Sequence, residues 1–276
     1  MNFGGIKTVE PGQVVFIDKG RKVHARRLAC CHHTPCLFEW VYFARPDSVI
    51  DNANVYKVRV NLGRFLAAEI RKRKLKIDVV VPVPDSARDA AIEIARRLDL
   101  KYSEALVKNR YIGRTFIMPA DEKRKSSVRQ KLNPIASEVK GKRVLLVDDS
   151  IVRGNTSRAI IEMVRECGAK KVYLASYSPP LRYPCVYGID MQTKTEFVAR
   201  GADEATVAKR IGADKVIYQN LDSLKKAVKL ENPKLGEFCA ACFDGIYPTG
   251  DVSPELLKEI EDERNLAHEN QLELNI

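Results

Sequence analysis

The 276 residues carry 47 lysines and arginines against 36 aspartates and glutamates, a formal net charge of +11, with 45% hydrophobic residues and seven cysteines. No apolar run is long enough to span a bilayer and Met1 is not followed by a signal-peptide pattern, so the expectation is a cytoplasmic chain whose thiols are free or metal-bound rather than paired. The positive excess is spread along the chain and suits an anionic ligand, nucleic acid or plain solubility equally well, so charge selects no partner.

The first thirty residues predict a hairpin, Gln13 to Ile17 and Lys22 to Ala25, around the turn Asp18-Lys19-Gly20-Arg21. Two strands alone are marginal in water, so this pair needs a partner surface. The aromatic run Phe38-Glu39-Trp40-Val41-Tyr42-Phe43 predicts a buried strand ended by Pro46. Trp40 and Phe43 suit core packing, whereas Arg45 and Ser48 are candidates to face a ligand.

A helix is expected at 54–73, with Val58, Leu62, Phe65, Leu66 and Ile70 as its apolar stripe and a solvated basic end, Arg71 to Lys74. Val79 to Val83 is a buried strand, Pro84-Asp85-Ser86 its terminal loop, and Ala87 to Leu98 a helix with apolar residues at 91, 94, 95 and 98. Asp85 and Ser86 could be simple helix caps. Lys108 to Phe116 carries three cations and a mid-run glycine, and a polar stretch follows from Ala120 to Gln130. Basic segments of that length serve as lids or are disordered.

Val144 to Thr156 is the most informative stretch. Val-Leu-Leu-Val has no polar alternation, as in a parallel strand buried on both faces. Asp148 and Asp149 fall at its end. Ser150, Ile151, Val152, Arg153, Gly154, Asn155 and Thr156 form a loop into a helix bearing Ile160, Ile161, Met163 and Val164. Ligands of open parallel sheets bind at the carboxyl ends of strands. A helix N-terminus offers free N–H groups and a positive dipole end to a phosphate. Two carboxylates beside such a cradle would repel the phosphate itself, but they suit the hydroxyls of a ribose or a Mg²⁺ ion. The run therefore describes a ribose 5-phosphate site; an acidic strand end with a polar cap is the plainer alternative.

Further on, strands are expected at Lys171 to Ser176, near Val186 and at Val216 to Tyr218, with helices at 205–211, 221–229 and Pro254 to Leu274.

Val144 to Thr156 resembles the phosphoribosylpyrophosphate (PRPP) motif of the type I phosphoribosyltransferases, and Val-Asp-Asp-Ser-Ile-Val-Arg-Gly resembles the form found in the glutamine PRPP amidotransferases. Asn155 stands where that family usually has Thr, a change that keeps the backbone N–H. The aromatic segment and Lys108 to Phe116 resemble the same family, so the similarity covers nearly the whole chain. It implies an α/β fold with a parallel sheet flanked by helices and a flexible catalytic lid. It implies a glycosyltransferase of purine synthesis that replaces the pyrophosphate of PRPP by ammonia to give 5-phosphoribosylamine. A nucleotide-binding regulator that kept the fold without catalysis is the alternative, and an intact lid argues against it. No base-stacking aromatics lie in a basic face, so nucleic acid is not expected as a partner.

By the resemblance, Asp148 and Asp149 hold the ribose and Ser150 to Thr156 the 5-phosphate. Ser86 joins the two aspartates around Mg²⁺, Arg88 meets the pyrophosphate, and Lys108, Arg110 and Arg114 are the lid cations. It divides the chain into a hairpin at 1–30 like the end of a glutaminase domain, a phosphoribosyltransferase domain at 31–230 and a C-terminal extension at 231–276. No Cys-Gly-Ile catalytic setting occurs in the sequence. A separate glutaminase domain or subunit, feedback purine nucleotides and a homo-oligomer are the implied partners, with no membrane.

Cys239-Ala240-Ala241-Cys242 alone is compatible with zinc, redox chemistry or chance. Cys30-Cys31-His32-His33 with Cys36 suggests a local zinc site, though adjacent residues on an extended chain point opposite ways. The resemblance implies instead that Cys36, Cys185, Cys239 and Cys242 ligate a [4Fe–4S] cluster, with zinc as the alternative. Cys30, Cys31 and Cys167 are then left as small buried residues.

Overall fold

The computed structural model describes residues 7–109, 131–189 and 197–273, with side chains to residue 263. Strands β1 (Gln13–Ile17) and β2 (Val23–Arg27) form an antiparallel ribbon exposed on both faces. A wide helical turn, Glu39–Phe43, follows. The short pair β3 (Val49–Ile50) and β4 (Ala53–Asn54) leads into α1 (Val55–Lys72). Then come β5 (Val79–Pro82), α2 (Arg88–Leu98), β6 (Lys101–Tyr102) and the antiparallel pair β7 (Leu106–Lys108) and β8 (Leu132–Pro134). After α3 (Ala136–Val139) the chain continues through β9 (Arg143–Asp148), α4 (Asn155–Glu166), β10 (Lys171–Ser176), α5 (Glu204–Ile211), β11 (Lys215–Tyr218) and α6 (Leu221–Lys229). A short α7 (Ala241–Asp244) and α8 (Pro254–Glu273) complete it.

The main sheet is wholly parallel, in the order β11-β10-β9-β5-β6. Successive side chains of a strand point to opposite faces, so the unbroken apolar runs split between two cores. Leu145 and Val147 join α1, α2 and α6 on one face, while Val144 and Leu146 join α4 and α5 on the other. Both faces are covered, which is why these strands show no polar alternation. Asn54 caps α1 by accepting from Lys57 N at 3.0 Å. Gly63 lets α1 approach α2, since a Cβ there would sit 2.5 Å from the Ala90 carbonyl oxygen.

Two expected strands are absent. Phe38 to Phe43 turns helically because its carbonyls find a side-chain donor. Arg59 of α1, only 2% exposed, donates to the carbonyl oxygens of Trp40 (3.0 Å), Tyr42 (3.3 Å) and Ala44 (2.8 Å). Trp40 is core as expected, but Phe43 is half exposed. Arg45 is exposed and pairs with Asp47 at 2.9 Å. Around Val186 the chain is irregular; Tyr187 N donates to the Cys185 sulfur at 3.4 Å instead of joining a ladder. Among the described residues, no helix is long and apolar enough to cross a membrane.

Candidate active site

β5 and β9 are neighbours in the sheet, so the loops that leave their carboxyl ends meet. Asp148 ends β9 and is 8% exposed; Asp149 follows at 7%. The Ser86 hydroxyl, from the loop after β5, donates to Asp149 Oδ2, and the Ser150 hydroxyl donates to Asp149 Oδ1 at 2.6 Å. Asp149 N donates to Asp148 Oδ1 at 2.9 Å. With its proton committed to Asp149, the Ser86 oxygen keeps its lone pairs for a cation. Burial, then the neighbouring Asp149, pushes the Asp148 carboxyl well above its ordinary range. Burial also raises Asp149, against hydrogen bonds from Ser150 and Ser86 and the nearby positive charge of Arg59. A pair of raised, buried carboxyls is a place where a cation or a hydroxyl-rich ligand is favoured.

The end of β10 fixes the backbone of this pair. Tyr177 N donates to the Asp148 carbonyl at 3.1 Å and Ser178 N to that of Asp149 at 3.0 Å. The Ser176 hydroxyl also reaches the Asp149 carbonyl, at 3.1 Å.

Ser150 to Gly154 run from the acidic pair to the first turn of α4. Ile151 is buried in the core shared with α4, and the Val152 carbonyl accepts from Val198 N at 2.9 Å. Gly154 has φ +80°, and a Cβ there would lie 2.8 Å from Ile211 Cγ2. Only glycine fits, which sets the abrupt entry into α4. Asn155 and Thr156 are exposed at the helix start and Arg153 is half-buried. The early N–H groups of a 12-residue helix therefore open beside the two aspartates.

A second cluster borders the Ser86 loop. Arg88 lies 3.3 Å from Asp85 and 3.3 Å from Glu104, and Lys108 Nζ is 2.9 Å from Asp85 Oδ2. The expected cations Arg88 and Lys108 thus meet at one loop. Arg110 and Arg114 lie outside the described residues.

The four cysteines come from three separated segments and converge. Cys36 and Cys239 form an isolated parallel bridge, and the Cys242 carbonyl accepts from Arg182 and Tyr183 N–H at 3.0 and 3.2 Å. Burial pushes the Cys36 thiol up to about 11 and raises that of Cys242, with smaller contributions from the neighbouring cysteines. Among the described residues, however, no group of three or more His, Cys, Asp or Glu is spaced to hold a metal ion. The expected cluster site is a gathering of two buried and two half-buried thiols, the right donor set but, among the described residues, without ligand geometry. The local zinc expectation finds no such grouping among the described residues either, and His33 pairs with Asp51 at 3.0 Å. Cys30 and Cys31 are exposed and Cys167 is half-buried, so the three are not the buried residues expected.

Sequence reasoning missed Arg59 and Tyr177. A lone arginine inside an amphipathic helix pattern reads as a surface residue, and a tyrosine after an apolar strand reads as core.

Residues 53–177 match the phosphoribosyl transferase domain. The chain is 51% identical over 269 residues to the amidophosphoribosyltransferase of Pasteurella multocida, covering 96% of this chain and 53% of the relative. It is 48% identical over 270 residues to that of Escherichia coli, with 96% and 53% covered. The solved glutamine PRPP amidotransferase from B. subtilis, complexed with ADP and GMP, superposes with a TM-score of 0.74 at 41% identity, over 87% of this chain and 52% of that one. The chain spans about half the length of the curated relatives it matches. It has the type I phosphoribosyltransferase fold and is similar, over nearly its whole length, to the phosphoribosyltransferase part of the amidophosphoribosyltransferases.

Proposed function

We propose that this chain binds PRPP and replaces its pyrophosphate by ammonia at C1, giving 5-phosphoribosylamine for purine synthesis. The observation that carries the reading is the meeting of Ser86 and Asp149 at two adjacent strand ends, beside a loop that opens a helix. In this reading Asp148 and Asp149 orient the ribose, Ser150 to Thr156 hold the 5-phosphate, and Arg88 with Lys108 faces the pyrophosphate. Mg²⁺, held by Ser86, Asp148 and Asp149, would neutralise charge on the leaving group. Cleavage of the C1–O bond leaves an oxocarbenium-like sugar that water can capture, so excluding water and stabilising the departing pyrophosphate are the catalytic tasks. Ammonia is already a neutral nucleophile and needs no strong general base; positioning supplies the rest. No observation favours the non-catalytic alternative.

The hairpin, the transferase domain and the C-terminal extension, divided at residues 30 and 230, belong to the same reading, as do a homo-oligomer and a cytoplasmic location. The ADP and GMP in the B. subtilis structure support purine nucleotides as regulators here. A glutaminase domain or subunit would supply the ammonia. A [4Fe–4S] centre on Cys36, Cys185, Cys239 and Cys242, or zinc in its place, has the donor set alone as support. Anaerobically prepared protein would then hold about four irons and four sulfides, and Cys239→Ser would lose them. Free thiols at all four positions in metal-replete protein would reject the centre.

The deciding experiment is pyrophosphate release from PRPP and Mg²⁺ by the purified chain. Release with ammonia and none with glutamine is expected. Absence of PRPP binding, or equal use of glutamine, overturns the corresponding part of the reading.

A further inference from the structure

Tyr177 is completely buried, yet its hydroxyl lies within hydrogen-bond reach of two carbonyls from distant parts of the chain. It is 3.0 Å from the Val41 oxygen, in the aromatic turn, and 3.2 Å from the Ser86 oxygen, in the loop after β5. A phenol has one proton, so the two acceptors share it. The backbone of the same residue donates to the Asp148 carbonyl at 3.1 Å. One residue therefore holds both sides of the Ser86–Asp149 contact: the aspartates through its N–H, and the serine through its hydroxyl. Arg59 secures the other end of the strut, because it donates to the carbonyls of Trp40, Tyr42 and Ala44 on either side of Val41.

We propose that Tyr177 is a positioning residue for substrate binding, whose hydroxyl fixes the Ser86 loop against the aromatic turn and so presents the Ser86 oxygen beside Asp149. Its expected effect on PRPP rests on the function proposed above; its effect on the loop does not. The neighbouring Asp85 is tied to Lys108 and Arg88 through exposed ion pairs, whereas the Tyr177 hydroxyl reaches the Ser86 carbonyl from the buried side. A hydroxyl held by two carbonyls can also transmit displacement of the aromatic turn to the loop, since neither carbonyl can move without lengthening the shared bond.

Tyr177→Phe removes the hydroxyl and keeps the ring, so packing survives. Hydrogen exchange on the ligand-free chain is the first measurement. Amides at 85–87 and 41–44 should exchange several-fold faster in Tyr177→Phe, while those of α4 stay unchanged. Unchanged exchange at both segments overturns the proposal whatever the chain does with PRPP. The second measurement is PRPP affinity by calorimetry, with steady-state kinetics beside it. Tyr177→Phe should weaken PRPP binding and raise its KM three- to tenfold, leaving the KM for ammonia unaltered. In a Ser86→Ala background the same change should add less than twofold. Full additivity of the two substitutions, or equal change in both KM values, assigns Tyr177 to general stability and overturns the positioning role. If the wild-type chain binds no PRPP at all, the proposed function fails, while the exchange data still decide whether Tyr177 holds the loop.

Discussion

Lys108 Nζ lies 2.9 Å from Asp85 Oδ2, so the last residue of β7 is tied to the loop that follows β5. Arg88 shares Asp85 and also reaches Glu104, at 3.3 Å in each case. The cations proposed for pyrophosphate are thus already engaged by carboxylates, which an incoming anion must displace.

Glu104→Gln removes one of those competitors and leaves Arg88 in place. The pair is about half exposed, and surface ion pairs contribute about 0.2–1 kcal/mol. Pyrophosphate should therefore bind up to about fivefold more tightly, with the difference shrinking in high salt. Competition of pyrophosphate against PRPP measures it; weaker binding in the variant would show that Glu104 assists the anion.

The acidic pair should trade stability for binding. Folding raises both carboxyls above their ordinary range. Between that range and the raised values the native state binds more protons than the unfolded one, so ligand-free stability falls as pH rises through the window. Asp78 has the opposite sign. Its hydrogen bonds with Arg143 lower it to about 2, so its contribution is present at neutral pH and lost as pH falls toward that value. Asp148→Asn should flatten the first slope and stabilise the ligand-free chain by about 0.5–2 kcal/mol. It should also weaken PRPP turnover roughly 10- to 100-fold, from ~1.5–3 kcal/mol per charge-assisted bond. Asp149→Asn should weaken turnover similarly. Urea midpoints across pH, with and without PRPP, test both halves.

Gly154→Ala meets Ile211 Cγ2 and must also hold φ near +80°. A cost of roughly 1–3 kcal/mol is expected from the backbone alone, together with loss of 5-phosphate affinity as the entry into α4 shifts. Ribose 5-phosphate binding and thermal melting report the two effects separately.

Arg59→Met keeps much of the side-chain volume and leaves three carbonyls without their donor. At about 1–3 kcal/mol for each buried group left unsatisfied, the variant should be destabilised by a few kcal/mol. An unchanged denaturant midpoint would show that the aromatic turn re-forms with other donors.

The central sheet was legible because parallel strands buried on both faces leave unbroken runs such as Val144 to Val147, and strand-end polar residues such as Asp148 and Ser86 stand out against them. Helices were legible from their stripes: Val58, Leu62, Leu66 and Ile70 are all buried as the spacing predicts. The aromatic turn was not legible, because its shape depends on Arg59, a donor arriving from another element, and no local pattern encodes that. Tyr177 was hidden for a related reason. Its role lies in two carbonyls at Val41 and Ser86, and backbone acceptors carry no residue signature. The convergence of Cys36 with Cys239 likewise rests on a chain reversal more than 200 residues long, which spacing alone does not show.

Among the described residues the β1–β2 ribbon pairs with no further strand, and it exposes Val14, Phe16, Ile17 and Val23. Unpaired apolar edges invite a second copy to add on as a further strand, and proteins guard them with cations. Arg26 and Arg27 lie on β2 opposite Val14 and Gln13, and Lys19, Arg21 and Lys22 crowd the turn. By that rule these charges oppose self-association through the ribbon. Their cancellation, by acidic substitution of one ribbon in two or by a bound polyanion, should remove that repulsion and lower the concentration at which the ribbons pair edge to edge.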